Sequence, residues 1–296
     1  MAVTAVVVEG CQSHGGSLGA TGASRPLLCR RRNERNDPSG GLAGFGLAHY
    51  PLGVRADEEA AVRLAALLSG AGFGWPQVPD EALVELCRHA RLVETAPKRA
   101  LFRRGDPCAG LFFVRRGEYQ VSMISSEGRE QIVFLADAGK LVSEGLTAEG
   151  ETCRVSCFAR SDASAWQLSY ADLRAAGERC GAVALALVQT LGYRQGRMLE
   201  LIYDLSLRSV EQRLAAFLVF LARRNEERSK GSAAGPDGKR KVELIRDLDV
   251  QTVAELLGTT RAEVTRAQAK LRRAGLVEIT RQRVTILDLE SLDALA

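Results

Sequence analysis

LDVQTVAELLGTTRAEVTRAQAKLRRAGLVEIT, residues 248–280, carries two helix signals separated by a glycine. Asp249 offers a side-chain acceptor that can cap a helix whose apolar positions Val253, Leu256 and Leu257 share a face, and Ala254 is small enough to admit another helix. Gly258 supplies the tight turn after it. Thr260-Arg261-Ala262-Glu263 is then a capping box: the Thr side chain takes the amide three residues on, and the Glu reaches back. In this second helix Val264, Ala267 and Leu271 face inward, which leaves Arg261, Ala262, Thr265 and Arg266 on the opposite, N-terminal surface.

Those side chains suit a recognition helix in a DNA major groove. Arg donates two bonds to guanine, while Thr meets a phosphate, a base edge or a thymine methyl. Lys270, Arg272 and Arg273 extend positive charge toward the backbone. Val277–Ile279 and Val284–Ile286 read as two short strands around the polar turn Thr280–Arg283, a winged ending whose Arg281 and Arg283 add phosphate contacts. Local charge agrees: Lys239 to Arg283 holds 11 basic against 6 acidic residues, a larger surplus than the +4 of the whole chain. The residues expected to meet a double-stranded operator are Thr260, Arg261, Ala262, Thr265, Arg266, Lys270, Arg273, Arg281 and Arg283.

Upstream, the texture between Leu101 and Leu168 is short β-rich runs punctuated by glycines. The runs are Leu111–Val114, Tyr119–Ile124, Gln131–Leu135 and Arg154–Phe158, with Gly105, Gly110, Gly117, Gly128 and Gly139 in or near the gaps. This spacing predicts a small antiparallel sandwich or barrel able to hold one small ligand. Before it, Asp57–Leu68 and a segment opened by Pro79-Asp80 read as packing helices, with His89 in a surface or packing role. After it, Ala182–Asp204 carries Leu187, Leu191, Met198, Ile202 and Leu205 at spacings of a long apolar stripe, suited to pairing with a second copy. A further helix is predicted over Ser209–Arg223, and Asn225–Lys241 reads as a hairpin or linker.

The expected organisation is α+β. An N-terminal extension without periodicity, expected to be disordered (1–55), precedes a sensor domain with flanking helices (56–181), a dimerisation helix (182–208) and a winged helix-turn-helix (209–296). Seven cysteines, odd in number and without CxxC pairing, fit reduced thiols in the cytoplasm. Cys153 and Cys157, four apart on the predicted strand 154–158 and its approach, share a face and read as packing residues or a redox pair. No apolar run approaches the ~20 residues of a membrane span. There is no Ser/His/Asp set, P-loop, HxxxH or zinc-spaced cysteine pair, so neither a catalytic residue nor a metal ligand is assigned and an enzyme is disfavoured. The alternative of another class is a regulatory module that binds a ligand and a protein partner without DNA; the C-terminal arginines weigh against it.

In order along residues 76–290, the chain resembles the Crp/Fnr family. The resemblance rests on Leu101-Phe102 with Gly105-Asp106, Leu111-Phe112-Phe113-Val114 with Gly117, Gly128-Arg129-Glu130, Gly139, the helix around Arg213-Leu214-Ala215, and Gly258-Thr259-Thr260-Arg261 running to Val264-Thr265-Arg266. It implies a cyclic-nucleotide-binding-type β-roll barrel, a long helix that joins two copies, a C-terminal winged helix-turn-helix, and RNA polymerase as a partner. Where the family binds cyclic nucleotides, a Gly-Glu pair and an Arg followed by Ser or Thr hold ribose and phosphate. Here those positions read Ser143-Glu144 and Arg154-Val155, and the adenine contacts fall on Met198 and Leu199. The effector residues carried over are therefore Glu144 and Arg154, while the departures argue against a cyclic nucleotide and leave the pair for another acid or for a surface ion pair.

The family's Glu after the first recognition-helix Arg is replaced by Ala262, whose methyl accepts no hydrogen bond from cytosine N4. Ala262→Glu is expected to shift selection toward cytosine at one position per half-site, worth roughly 1–3 kcal/mol. Randomised-site selection checks this, and identical motifs for both proteins would refute it.

Overall fold

The computed structural model describes residues 53–70, 74–108, 110–142, 152–229, 242–245, 249–280 and 283–296. The bulk of the N-terminal extension and the turn residues 231–238 lie outside the described residues.

Leu111–Arg116 explains the barrel. Phe112 and Val114 enter one buried cluster, while Leu111 and Phe113 enter another. A strand buried on both faces needs no polar alternation, so its sequence reads as a continuous apolar run. It belongs to a five-stranded antiparallel sheet in the order β1 (Val54–Arg55), β2 (Arg91–Thr95), β9 (Ala163–Leu168), β4 (Leu111–Arg116), β7 (Leu141–Val142). A second, four-stranded sheet runs β3 (Ala100–Phe102), β8 (Ser156–Ala159), β5 (Tyr119–Ile124), β6 (Glu130–Ala136). Inner faces of both sheets supply one core, including Val93, Phe102, Phe112, Val121, Val133 and Ala165. Buried within it, the Tyr119 hydroxyl donates to Thr95 Oγ1 at 3.0 Å, and burial pushes the phenol up to about 12. Gly117 turns the chain between β4 and β5 at φ +79°, where a Cβ would stand 2.5 Å from the Asp162 carbonyl oxygen.

The outer face of the five-stranded sheet is covered by α1 (Glu58–Ser69), α2 (Asp80–Cys87), α3 (Tyr170–Arg179) and the first half of α4 (Gly181–Leu207). Asp57 caps α1 by accepting from the Ala60 amide, and Trp75 donates from its indole to Thr190 on α4 at 3.1 Å, buried. Along α4, Leu187 is buried against these helices. Of the expected stripe, Met198, Ile202 and Leu205 are exposed and Leu191 is half-buried, while Leu185, Val188 and Leu199 add exposed apolar positions, with Gly192 and Gln195 between. The row Leu185, Val188, Leu199 and Ile202 thus shares Ile202 with the expected stripe but leaves out the buried Leu187. Spacing alone could not tell the face used by the helix's own domain from the one left uncovered.

The C-terminal unit contains α5 (Val210–Ser229), β10 (Val242–Ile245), α6 (Val250–Leu256), α7 (Arg261–Arg273), β11 (Val277–Ile279), β12 (Arg283–Ile286) and α8 (Leu289–Leu295). Three strands pair in the order β10-β12-β11, so the wing gains a strand unmarked in the sequence reading, and α8 closes the core through Leu289 and Leu292. Helix α5 continues six residues past the expected end at Arg223, because 224–229 contains no Gly or Pro to stop it. Strand β8 is shorter than expected: Arg154 and Cys153 precede it, so Cys153 and Cys157 are not two steps along one strand.

The two-sheet unit and the C-terminal unit touch along β6. Ile132 and Leu135 join the same buried cluster as Leu214, Leu256 and Leu257. Gln131 donates from Nε2 to the Leu256 carbonyl at 3.3 Å. The Gly258 turn, at φ +61°, lies so close that a Cβ would be 2.5 Å from both Leu205 Cδ2 and Gln131 Oε1. Those two side-chain ends can shift, so the left-handed backbone sets most of the cost of a substitution. Gly258→Ala is expected to lower stability by about 1 kcal/mol, read as a reduced midpoint in urea unfolding; an unchanged midpoint would contradict this geometry.

Candidate nucleic-acid interface

Two helices joined through Gly258 place the candidate surface. Asp249 caps α6 by accepting from the Thr252 amide at 2.8 Å, and Val253, Ala254 and Leu256 are buried. α7 starts with the full capping box: Thr260 Oγ1 accepts from the Glu263 amide at 3.3 Å, and Glu263 accepts from the Thr260 amide at 3.3 Å. The Thr259 hydroxyl also donates to the Glu263 carboxylate. That bond first, and the Thr260 amide second, hold the Glu263 carboxyl below its ordinary value.

Val264, Ala267 and Leu271 anchor α7 in the core, and Arg261, Ala262, Thr265 and Arg266 stand exposed together on its other side. Within this set the donors are unequal. Thr265 spends its hydroxyl proton on the Arg261 carbonyl at 2.9 Å, so it offers a methyl and an acceptor outward. Thr260 is exposed at the cap, with its hydroxyl engaged in the box. Lys270 is exposed but paired with Glu211 of α5 at 3.1 Å, and Arg283 pairs with Glu243 of β10. Arg273 is exposed, with Nε on the Ala269 carbonyl at 3.4 Å. Exposed ion pairs of this kind are worth ~0–1 kcal/mol and exchange readily for a phosphate. Arg281 lies outside the described residues.

Behind α7 lies a charged cluster that sequence reasoning missed. Asp204, near the end of α4, is buried and accepts from Arg208 Nη1 at 2.7 Å. Arg213 on α5 is also buried, and burial pulls its guanidinium below the usual range while Asp204 and then Glu263 oppose that shift. Arg213 Nε and Asp204 Oδ2 are buried without a hydrogen-bond partner among the described residues. The only sequence signal was an Arg inside an otherwise apolar helical face, Arg213-Leu214-Ala215.

Of the effector pair, Glu144 lies outside the described residues and Arg154 is exposed ahead of β8. A shallow groove on the outer face of the four-stranded sheet is lined by Lys98, Gln120, Ile124, Glu130, Phe158, Ala159 and Arg160, and does not include Arg154. Among the described residues no helix is long and apolar enough to cross a membrane, and no His, Cys, Asp and Glu side chains gather as a metal site.

Residues 92–180 match the cyclic nucleotide-binding domain and residues 212–295 the Crp-like helix-turn-helix domain. The chain is similar to the global nitrogen regulator of Synechocystis sp., 26% identical over 198 residues that cover 66% of this chain and 84% of the relative. It is also similar to the transcriptional activator protein anr of Pseudomonas aeruginosa, 28% identical over 197 residues, 66% of this chain and 76% of the relative. Its fold is shared with FixK2 from Bradyrhizobium japonicum at TM-score 0.55 and 20% identity, covering 70% of this chain and 96% of that one. The c-di-GMP responsive regulator CLP of Xanthomonas campestris shares it at TM-score 0.55 and 21% identity, covering 71% and 99%.

Thr260→Ala is expected to cost about 1 kcal/mol, measured by denaturant unfolding. Because the Glu263 carboxyl is lowered in the folded state, its stabilising effect is full above the ordinary carboxylate value and is lost as pH falls through the lowered one. Glu263→Ala should therefore flatten the acid limb of stability against pH; an unchanged limb would show that the box contributes nothing.

Proposed function

Because the chain belongs to the Crp/Fnr family of DNA-binding transcription regulators, we propose that it works as a homodimer whose α7 helices read two half-sites of an operator, under control of an effector at the barrel. The observation that carries this reading is the exposed set Arg261, Ala262, Thr265 and Arg266 on a helix whose other side is anchored by Val264, Ala267 and Leu271. Phosphate contacts fall to Lys270, Arg273, Arg281 and Arg283, and Thr260 meets the backbone at the cap.

Dimerisation is supported by the outward face of α4. Leu185, Val188, Leu199 and Ile202 are 56%, 62%, 61% and 59% exposed. Together with Gly192 and Gln195 they step by three and four residues, the pattern of a coiled-coil seam. Four large apolar side chains in one row favour a second copy over water, and a symmetric pair sets two recognition helices about one DNA turn apart.

Glu144 and Arg154 remain the residues for an anionic effector, with cyclic nucleotide disfavoured by Ser143, Val155, Met198 and Leu199. That a c-di-GMP responsive regulator shares the fold fits a barrel that leaves effector choice to side chains. RNA polymerase as partner and a cytoplasmic setting follow from the family reading.

Val188→Glu with Ile202→Glu should convert the protein to monomers in sedimentation velocity; a dimer that persists would rule out this seam. Fluorescence anisotropy on duplex DNA should show binding that weakens steeply with salt, and Arg273→Ala should weaken all sequences alike while reducing the log–log salt slope by about 1. No association at low salt would instead favour the ligand-binding module that acts through a protein partner.

A further inference from the structure

We propose that Cys108 and Cys153 are a reversible dithiol site in the sensor domain, oxidised to a disulfide by a peroxide. Cys108 Sγ donates to Cys153 Sγ at 3.5 Å, across 45 residues of sequence. The backbone holds the two in place. Pro107 and Thr152 form an antiparallel bridge, the Gly105 amide donates to the Cys153 carbonyl at 2.8 Å, and the Cys153 amide donates to the Asp106 carbonyl at 2.8 Å. In this register both cysteines lie on the same side of the bridged pair, diagonal to each other, an arrangement within reach of side-chain contact. A disulfide at ~2.05 Å requires the sulfurs to close by about 1.5 Å, a change that side-chain rotation can supply.

The two thiols differ in the way a stepwise oxidation needs. Cys108 is partly exposed and Cys153 is buried, so an oxidant arriving from water meets Cys108 first. The Cys108 thiol gives up its proton and its thiolate attacks one oxygen of hydrogen peroxide; the O–O bond breaks, a sulfenic acid forms, and the departing hydroxide takes a proton, in balance with the one lost by the thiol, to leave as water. Cys153 sulfur, already facing that position, attacks the sulfenic sulfur and loses its proton as the hydroxyl leaves as a second water. The two thiols are oxidised by two electrons and the peroxide is reduced to two waters. Nearby Cys157 does not serve as the attacking thiol: it is fully buried in the barrel core, and burial pushes its pKa well up. Cys153 directly precedes Arg154, the residue assigned to an anionic effector, so the oxidised form would fix the backbone beside that position.

The test uses the full reduced chain, treated with a small molar excess of hydrogen peroxide, blocked with an alkylating maleimide, digested and mapped by mass spectrometry. The expected result is a linked peptide pair holding Cys108 and Cys153, two hydrogens lighter than the sum of the thiol peptides, reversed by dithiothreitol, retained in Cys157→Ala and absent in Cys108→Ser. The proposal is overturned if Cys108 and Cys153 are both recovered as alkylated thiols, if Cys108 proceeds to sulfinic acid while Cys153 stays a thiol, or if either cysteine links to another in place of its neighbour. The outcome does not depend on DNA binding, so it is separable from the proposed function.

Discussion

Gly258 stands where three parts of the molecule meet. Its left-handed turn joins α6 to α7, and the same turn lies against Leu205 of the long helix and Gln131 of the barrel. A side chain there would strain the turn and push aside the ends of Leu205 and Gln131, and the cost lies mainly in the left-handed backbone. Through this seat the barrel strand β6 and the C-terminal core share one apolar cluster, with Ile132 and Leu135 beside Leu256 and Leu257. The contact is not wholly favourable. Burial, and then the Glu130 carboxylate across from it, hold Glu255 of α6 above its ordinary value, with Gln251 and Arg160 opposing. The seat thus combines apolar burial with two carboxylates whose charges oppose each other.

The Asp204–Arg208–Arg213 cluster lies at the other side of the same junction, where α4 gives way to α5. Two of its polar atoms are buried without partners among the described residues. Such a cluster contributes little to net stability when whole, yet removing one member leaves an uncompensated buried charge. It stands between the end of α4 and α7, and the Glu263 carboxylate of α7 is among the charges that favour the Arg213 guanidinium.

Much of the C-terminal unit was legible because its signals are local. A cap acceptor, a turn glycine and a capping box are each complete within four residues, and Asp249, Gly258, Thr260 and Glu263 take those positions in the structure. Strands were legible where apolar runs are bounded by glycine, as at Tyr119–Ile124. Short pairing segments such as Ala100–Phe102, Leu141–Val142 and Val242–Ile245 were not, because two to four residues gain strand character only from partners distant in sequence. The same limit hid which side of α4 its own domain covers and the Cys108–Cys153 approach, since both depend on which neighbour lies against a face. For the candidate interface, the exposure of α7 could be read from period, but the engagement of Lys270 by Glu211 and of Arg283 by Glu243 could not.

α7 of each protomer is proposed to read DNA within a two-fold dimer. Selection of wild-type protein against a randomised duplex library tests it most directly. The expected result is an enriched inverted repeat with half-site centres about 10 base pairs apart and a guanine in each half. Enrichment of no motif, or of a single unrepeated half-site, would contradict it.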